Sequence, residues 1–226
     1  MQVIRCALIS FVLSAAAAAP AIAGGDVLPS SDGWYVQAGI GGSVTKDQDF
    51  KNPIVGKGSY EPDFGIGGIV EVGRQLSDKW RVGIGAGWAR GFDGKLDFKD
   101  PALLDANIDG HGDVYTLHLN AYYYLGEMQG LFGPIQPFVG AGIGLTHFDI
   151  GDVGGVSGDD KTDTVFSGAL RVGYDTKLRP GITLTSTYSL GYTGEAEFTN
   201  HFGFPNTTRE SQVDFIAFTG LRFDLD

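Results

Sequence analysis

"VQAGIGGSV" (residues 36–44) decides how this chain folds. Val36, Ala38, Ile40 and Val44 recur at every second place, and Gln37, Gly39, Gly41 and Ser43 stand between them. Period two is the mark of a β-strand with two unlike faces. One face is greasy and the other holds little more than glycine and small polar groups. Such a strand would pack poorly as half of a soluble core, which needs close-fitting side chains. The greasy face suits a surrounding that rewards apolar contact without demanding shape, and the small face suits a cramped interior.

Seven further segments read the same way: 63–76, 80–92, 112–126, 136–150, 162–177, 181–195 and 211–223. In "WRVGIGAGW", Trp80, Val82, Ile84, Ala86 and Trp88 oppose Arg81, Gly83, Gly85 and Gly87. Strands of soluble sheets run to about five or six residues. These are long enough for a tilted membrane strand, which takes about 9–11. Their connections alternate. "SDK", "EMQGLFGPI" and "LRP" are short, whereas 45–62, 93–111, 151–161 and 196–210 are long and polar. Short turns at one end and long loops at the other are the plan of a bacterial outer-membrane barrel. A sheet in lipid must close on itself, because no water satisfies a bare edge. The expectation is an all-β, eight-stranded antiparallel up-and-down transmembrane β-barrel, with both termini on the short-turn, periplasmic side. A soluble ligand-binding barrel would need large apolar residues inside, and the mixed glycine and polar face argues against it. Aromatics near the strand ends form two girdles: Trp34, Trp80, Tyr123, Tyr174 and Phe223 at the short-turn end, and Phe64, Trp88, Tyr115, Phe166 and Tyr192 at the other.

The first 23 residues stand apart. Arg5, an apolar middle through Ala19, and Ala21-Ile22-Ala23 have the order of a secretory signal, with cleavage expected after Ala23. Residues 24–32 are then a short periplasmic segment, and 33–226 the barrel domain. Cleavage removes Arg5 and Cys6, the single cysteine, and takes the formal net charge from −11 to −12. A cysteine-free exported chain carries no disulfide or thiol chemistry. Its acidity argues against nucleic acid, which draws clustered Lys and Arg.

"GWYVQAGIGGSV", "GPIQPFVGAGIG" and the closing "VDFIAFTGLRF" resemble the small outer-membrane β-barrel family that includes OmpA-type transmembrane domains, OmpX and the opacity proteins, in the form common in alphaproteobacteria. The resemblance spans nearly the whole chain after residue 23. It implies residence among outer-membrane lipids and lipopolysaccharide, delivery by the barrel-assembly machinery, and loops that meet host or phage surfaces. It also implies a terminal aromatic assembly signal. Phe223 fills that role here, although Asp224, Leu225 and Asp226 follow it.

Candidate chemistry is sparse. Glu71, Arg81, Arg171, Asp175, Asp214 and Arg222 all fall on the inward face. Three acids and three bases in one narrow lumen should pair, since unpaired buried charge is costly. "DANIDGHGD" places Asp105, Asn107, Asp109 and Asp113 at places 1, 3, 5 and 9 of a calcium-loop pattern, with Gly110 at place 6, but Thr116 replaces its closing Glu. His147 lies on the lipid-facing side two residues from Asp149, with no serine at matching spacing on its strand, and His118 reads as a hydrogen-bonded lumen filler. "GIGGIV" precedes no helix, and "GVSGDDKT" lacks Lys directly after its second glycine, so neither is a nucleotide loop. The reading is a non-enzymatic structural and surface-presenting barrel. The alternatives are a lipid A-modifying enzyme and a narrow conduit for small or hydrophobic molecules.

Overall fold

The computed structural model describes residues 33–46, 48–52, 56–62, 64–98, 106–130, 133–150, 162–198, 207–209 and 211–225. The expected signal and the segment 24–32 lie outside them. Among the described residues the wall has eight long strands: β1 Gly33–Thr45, β2 Gly65–Gln75, β3 Trp80–Phe98, β4 Ala106–Tyr124, β5 Gly133–Ile150, β6 Thr162–Arg179, β7 Ile182–Thr193 and β8 Gln212–Leu225. Each pairs antiparallel with its neighbours in sequence. β8 closes the ring on β1, in register from Trp34↔Leu225 to Thr45↔Asp214. The ring leaves no bare edge along the wall, as a bilayer requires. No described helix is long and apolar enough to cross a membrane, which says nothing against crossing by strands.

The faces are inverted relative to a soluble protein. Ile40, Ile84, Leu119, Ile143, Phe166 and Leu170 point outwards and are exposed. Glu71, Arg81, Asn120, Asp175, Thr185 and Arg222 point inwards and are buried. An apolar outside and a polar inside is stable only where the outside is hydrocarbon. The two girdles appear on the outer wall, with Trp80 and Tyr123 in an edge-to-face pair at 5.0 Å.

The short turns follow from local chemistry. Between β2 and β3, the Ser77 hydroxyl accepts from the backbone N–H groups of Lys79 and Trp80 at 3.3 and 3.2 Å. Between β6 and β7, Pro180-Gly181 makes a two-residue turn. Gly181 holds φ of 72°, a left-handed backbone that glycine adopts without penalty.

Three of the four expected loops are partly strand. β3 runs on to Phe98 and β4 begins at Ala106, so most of 93–111 is a tall hairpin. Short strands Gln48–Asn52, Gly56–Pro62, Ala196–Phe198 and Thr207–Arg209 continue the ladder beyond the wall. Pairing there satisfies backbone groups that a bare edge would leave open. Phe92, Leu96 and Phe98 alternate with Asp93, Lys95 and Asp97, but the density of Asp, Asn and Gly across 93–111 reads as loop.

Candidate functional site

Glycines carve the space for the lumen's charged side chains. A Cβ on Gly83 would sit 2.5 Å from the Tyr35 hydroxyl, and one on Gly142 would sit 2.2 Å from Arg171 Nη1. Large polar side chains fill the room their neighbours leave, in a lumen that eight strands make barely wide enough for side chains.

Two linked clusters result. In the first, Glu71 accepts from Tyr35 Oη at 2.6 Å, Tyr122 Oη at 2.7 Å and Asn120 Nδ2 at 2.5 Å. Arg171 Nη1 donates to Asn120 Oδ1 at 2.5 Å, and its Nη2 lies 3.1 Å from His118 Nδ1. His118 Nε2 in turn lies 2.8 Å from Ser167 Oγ. An imidazole that accepts from Arg171 at Nδ1 carries its proton on Nε2 and donates to Ser167. The chain of bonds crosses from β1 and β2 to β6.

The second cluster centres on Asp175. It accepts from Arg222 Nη1, from Tyr124 Oη at 2.5 Å, from Thr185 Oγ1 at 2.8 Å and from Arg81 Nη1 at 3.4 Å. Arg222 Nη1 also donates to Tyr124 Oη at 2.7 Å. Arg81 is fully buried, and its Nε and Nη2 have no hydrogen-bond partner among the described residues. Aromatic rings surround it instead. Its guanidinium carbon stands 4.2 Å from the centroid of Tyr122, 5.2 Å from Tyr35, 5.4 Å from Phe138 and 5.6 Å from Tyr124. Ring faces attract a desolvated cation, which accounts for the N–H groups that meet no oxygen.

Five of the six lumen charges read from the sequence therefore sit in one connected plug. Asp214 does not. It faces Thr45 and Gly191 in the ladder, eight residues up β8 from Arg222, or about 26 Å along the strand. Its Oδ1 accepts from Gln212. The sequence reading missed Tyr35, Tyr124 and Phe138 as lumen residues. Alternation assigns them inwards, but aromatics near strand ends drew attention to the girdles.

The calcium-loop residues are placed differently from expectation. Asp105 lies outside the described residues. Asn107 and Asp109 belong to β4, and Asn107 pairs with Lys95 in the β3–β4 ladder. Asp113 Oδ1 accepts from Arg90 Nε at 2.8 Å and Trp88 Nε1 at 3.0 Å, and its Oδ2 from Arg90 Nη2 at 2.7 Å. An extended strand replaces the wrapped loop. Among the described residues no three His, Cys, Asp or Glu gather as metal ligands. His147 faces outwards and finds Thr164 Oγ1 2.8 Å from its Nδ1, across the β5–β6 ladder. Phe223 lies on the outer face of β8, opposite Val36 and Ile182, and the strand continues to Leu225.

A closed inside-out ring with a charged, hydrogen-bonded filling is a transmembrane β-barrel. The chain belongs to the family described as outer membrane protein beta-barrel domain, whose model matches residues 8–214. That family places it in the outer membrane and agrees with the likeness to OmpX-type and opacity-type barrels. Among solved structures it is similar to outer membrane protein OprG from Pseudomonas aeruginosa, at 18% identity and a TM-score of 0.66, covering 88% of this chain and 99% of that one. AlkL, solved in lipid bilayers, gives 18%, 0.57, 90% and 94%. Neisserial surface protein A gives 17%, 0.53, 87% and 100%. At such identities these likenesses speak for the fold alone. A search of curated protein sequences finds no match.

Proposed function

We propose that this protein is a sealed, non-enzymatic barrel that stiffens the outer membrane and holds its long-loop end at the cell surface, where it contacts lipopolysaccharide and host or phage surfaces. The observation that carries this reading is the plug. Arg81, Asp175 and Arg222 reach across the lumen from three different strands and are almost wholly buried. A conduit needs polar groups spaced around open water. Here the groups are spent on one another. The same reading takes residues 1–23 as a signal removed on export and Phe223 as the aromatic that the assembly machinery reads. Planar-bilayer recording of the purified barrel tests the seal. The expected trace has no steady ohmic step, and a stable conductance would overturn the proposal.

The lipid A-modifying alternative meets one observation, the His147–Thr164 contact. The other imidazole nitrogen, Nε2, has no orienting carboxylate among the described residues, so the pair lacks the third member of a nucleophile-base-orienter set. Mass spectrometry of lipid A should be identical for a deletion strain complemented with the wild-type chain or with His147→Ala.

A further inference from the structure

The two clusters of the plug hold their arginines differently. Arg81 and Arg222 share a carboxylate, Asp175. Arg171 has none among the described residues. Its Nη1 donates to the Asn120 amide oxygen, and its Nη2 donates to His118 Nδ1 at 3.1 Å. The second bond exists only while Nδ1 is bare, because an imidazolium has two N–H groups and no acceptor. The ring is fixed in place. Ser167 Oγ lies 2.8 Å from its Nε2. A Cβ on Gly144 would come within 2.5 Å of its Cδ2.

Water reaches this ring from one end. Below His118 on β4 the inward residues Asn120, Tyr122 and Tyr124 are buried, as Tyr35 and Gln37 are on β1. Above it Thr116 and Val114 are partly exposed, as are Ser43 on β1 and Ile216 on β8. His118 itself is only part-buried. Hydrocarbon surrounds the wall, so this exposure opens upwards, into a vestibule at the long-loop end. Few charges face the ring among the described residues. β6 brings Arg171, and β2 brings Glu71, which is linked to it through Asn120. β3 and β5 set Gly85 and Gly144 beside it. On β8, Asp214 stands one inward place above Ile216 and accepts from Gln212. The nearby inward places on β1 and β7, such as Gln37, Thr187 and Ser189, are not titratable.

We infer that His118 is a proton-sensitive clasp on the upper half of the plug. Neutral, it holds Arg171. A proton arriving through the vestibule settles on Nδ1, occupies the lone pair that accepts from Arg171, and leaves two cations 3.1 Å apart. Like charges at that distance repel. Glu71 does not relieve them, since its oxygens already accept from Tyr35, Tyr122 and Asn120. Acid at the cell surface therefore loosens Arg171, while the Asp175 cluster below keeps its own ion pairs. The clasp regulates the plug of the proposed function and rests on that reading in taking the long-loop end as the cell surface.

The test is the pH profile of stability for the barrel folded in phosphatidylcholine vesicles, read as the unfolding equilibrium constant from urea titrations. An unfolded histidine takes up its proton near pH ~6.5, whereas a clasped one stays neutral. Between about pH 7.5 and about pH 5 the wild-type constant should therefore rise roughly thirtyfold more than that of His118→Asn. Asparagine keeps an acceptor for Arg171 and does not titrate. Arg171→Gln removes the facing cation and should flatten the profile with His118 still in place. His147→Asn, on the outer wall, should leave the profile as in wild type. Nitrogen NMR of ring-labelled histidine in the wild-type barrel should show His118 neutral near neutral pH, with its proton on Nε2. That measurement needs no variant, so it decides the matter even where His118→Asn does not fold. A wild-type profile no steeper than that of His118→Asn, a profile equally steep in Arg171→Gln, or a doubly protonated His118 near neutral pH would overturn the clasp. Bilayer conductance near neutral pH decides the sealed-barrel reading separately, so either can fail alone.

Discussion

Arg81 and Tyr122 are direct partners in the β3–β4 ladder, and the guanidinium carbon of one stands 4.2 Å from the ring centre of the other. The ring does two things at once. Its face meets the cation, and its hydroxyl donates to Glu71. Tyr122→Phe keeps the face and removes the hydroxyl, which should cost about 1–3 kcal/mol for a carboxylate that loses one donor. Tyr122→Leu removes both and should cost about 2 kcal/mol more. Urea midpoints, read from the loss of heat-modifiable gel mobility, give the two values.

Asp175 is the joint between Arg81 and Arg222. Asp175→Ala strands two buried guanidinium groups and should destabilise the barrel by about 3–5 kcal/mol. Asp214→Ala, outside the plug, should cost about 1 kcal/mol or less. The same urea series measures both.

Glycine makes room in the lumen, and the outer wall does not need it. A Cβ on Gly173 would meet the Ser186 carbonyl oxygen at 2.2 Å and the Phe138 ring at 2.6 Å, whereas one on Gly168, on the outward face of the same strand between Ile143 and Tyr192, meets only the Gly142 carbonyl oxygen at 3.6 Å. Gly173→Ala should therefore cost about 1–3 kcal/mol, as overpacking does. Gly168→Ala should fall within about 0.5 kcal/mol of wild type. Equal midpoints for the two would contradict the cradle.

If the plug is the seal, cutting it opens a passage. An Arg81→Ala/Tyr122→Ala double variant removes the stacked pair from the centre of the filling. In planar bilayers it should give discrete conductance steps that the wild-type chain lacks.

Both oxygens of the Asp113 carboxylate are already engaged, and 106–113 lies in a ladder. Chelator treatment should leave the urea midpoint and the protease pattern of the β3–β4 hairpin unchanged. Calcium-dependent protection there would revive the cation loop.

Much of this was legible in the chain itself. Alternation in "VQAGIGGSV" and its seven counterparts assigned the faces correctly, because lipid on one side and a tight lumen on the other select opposite residue types. In the upper hairpin of β3 and β4 the alternation persists only as Phe92, Leu96 and Phe98 among Asp93, Lys95 and Asp97, and the surrounding Asp, Asn and Gly read as loop. Alternation also fixes only which way a side chain points. How high it sits depends on the stagger across eight strands. Asp214 therefore read as a member of the plug and is not, while Thr164 could not be matched to His147 from one strand's spacing. Alternation turns aromatics such as Tyr35 and Tyr124 inwards, but only the ring geometry shows that they stack around Arg81.

All eight wall strands lend a side chain to the filling, from Tyr35 on β1 through Phe138 on β5 to Arg222 on β8. A chain that has laid down seven strands holds Arg81 and Asp175 without the third member of their trio. Zipping β8 onto β1 then completes the backbone ladder and the electrostatic circuit in one event. Closure and interior packing become a single cooperative step, and the finished ring gains a latch that no half-zipped sheet possesses.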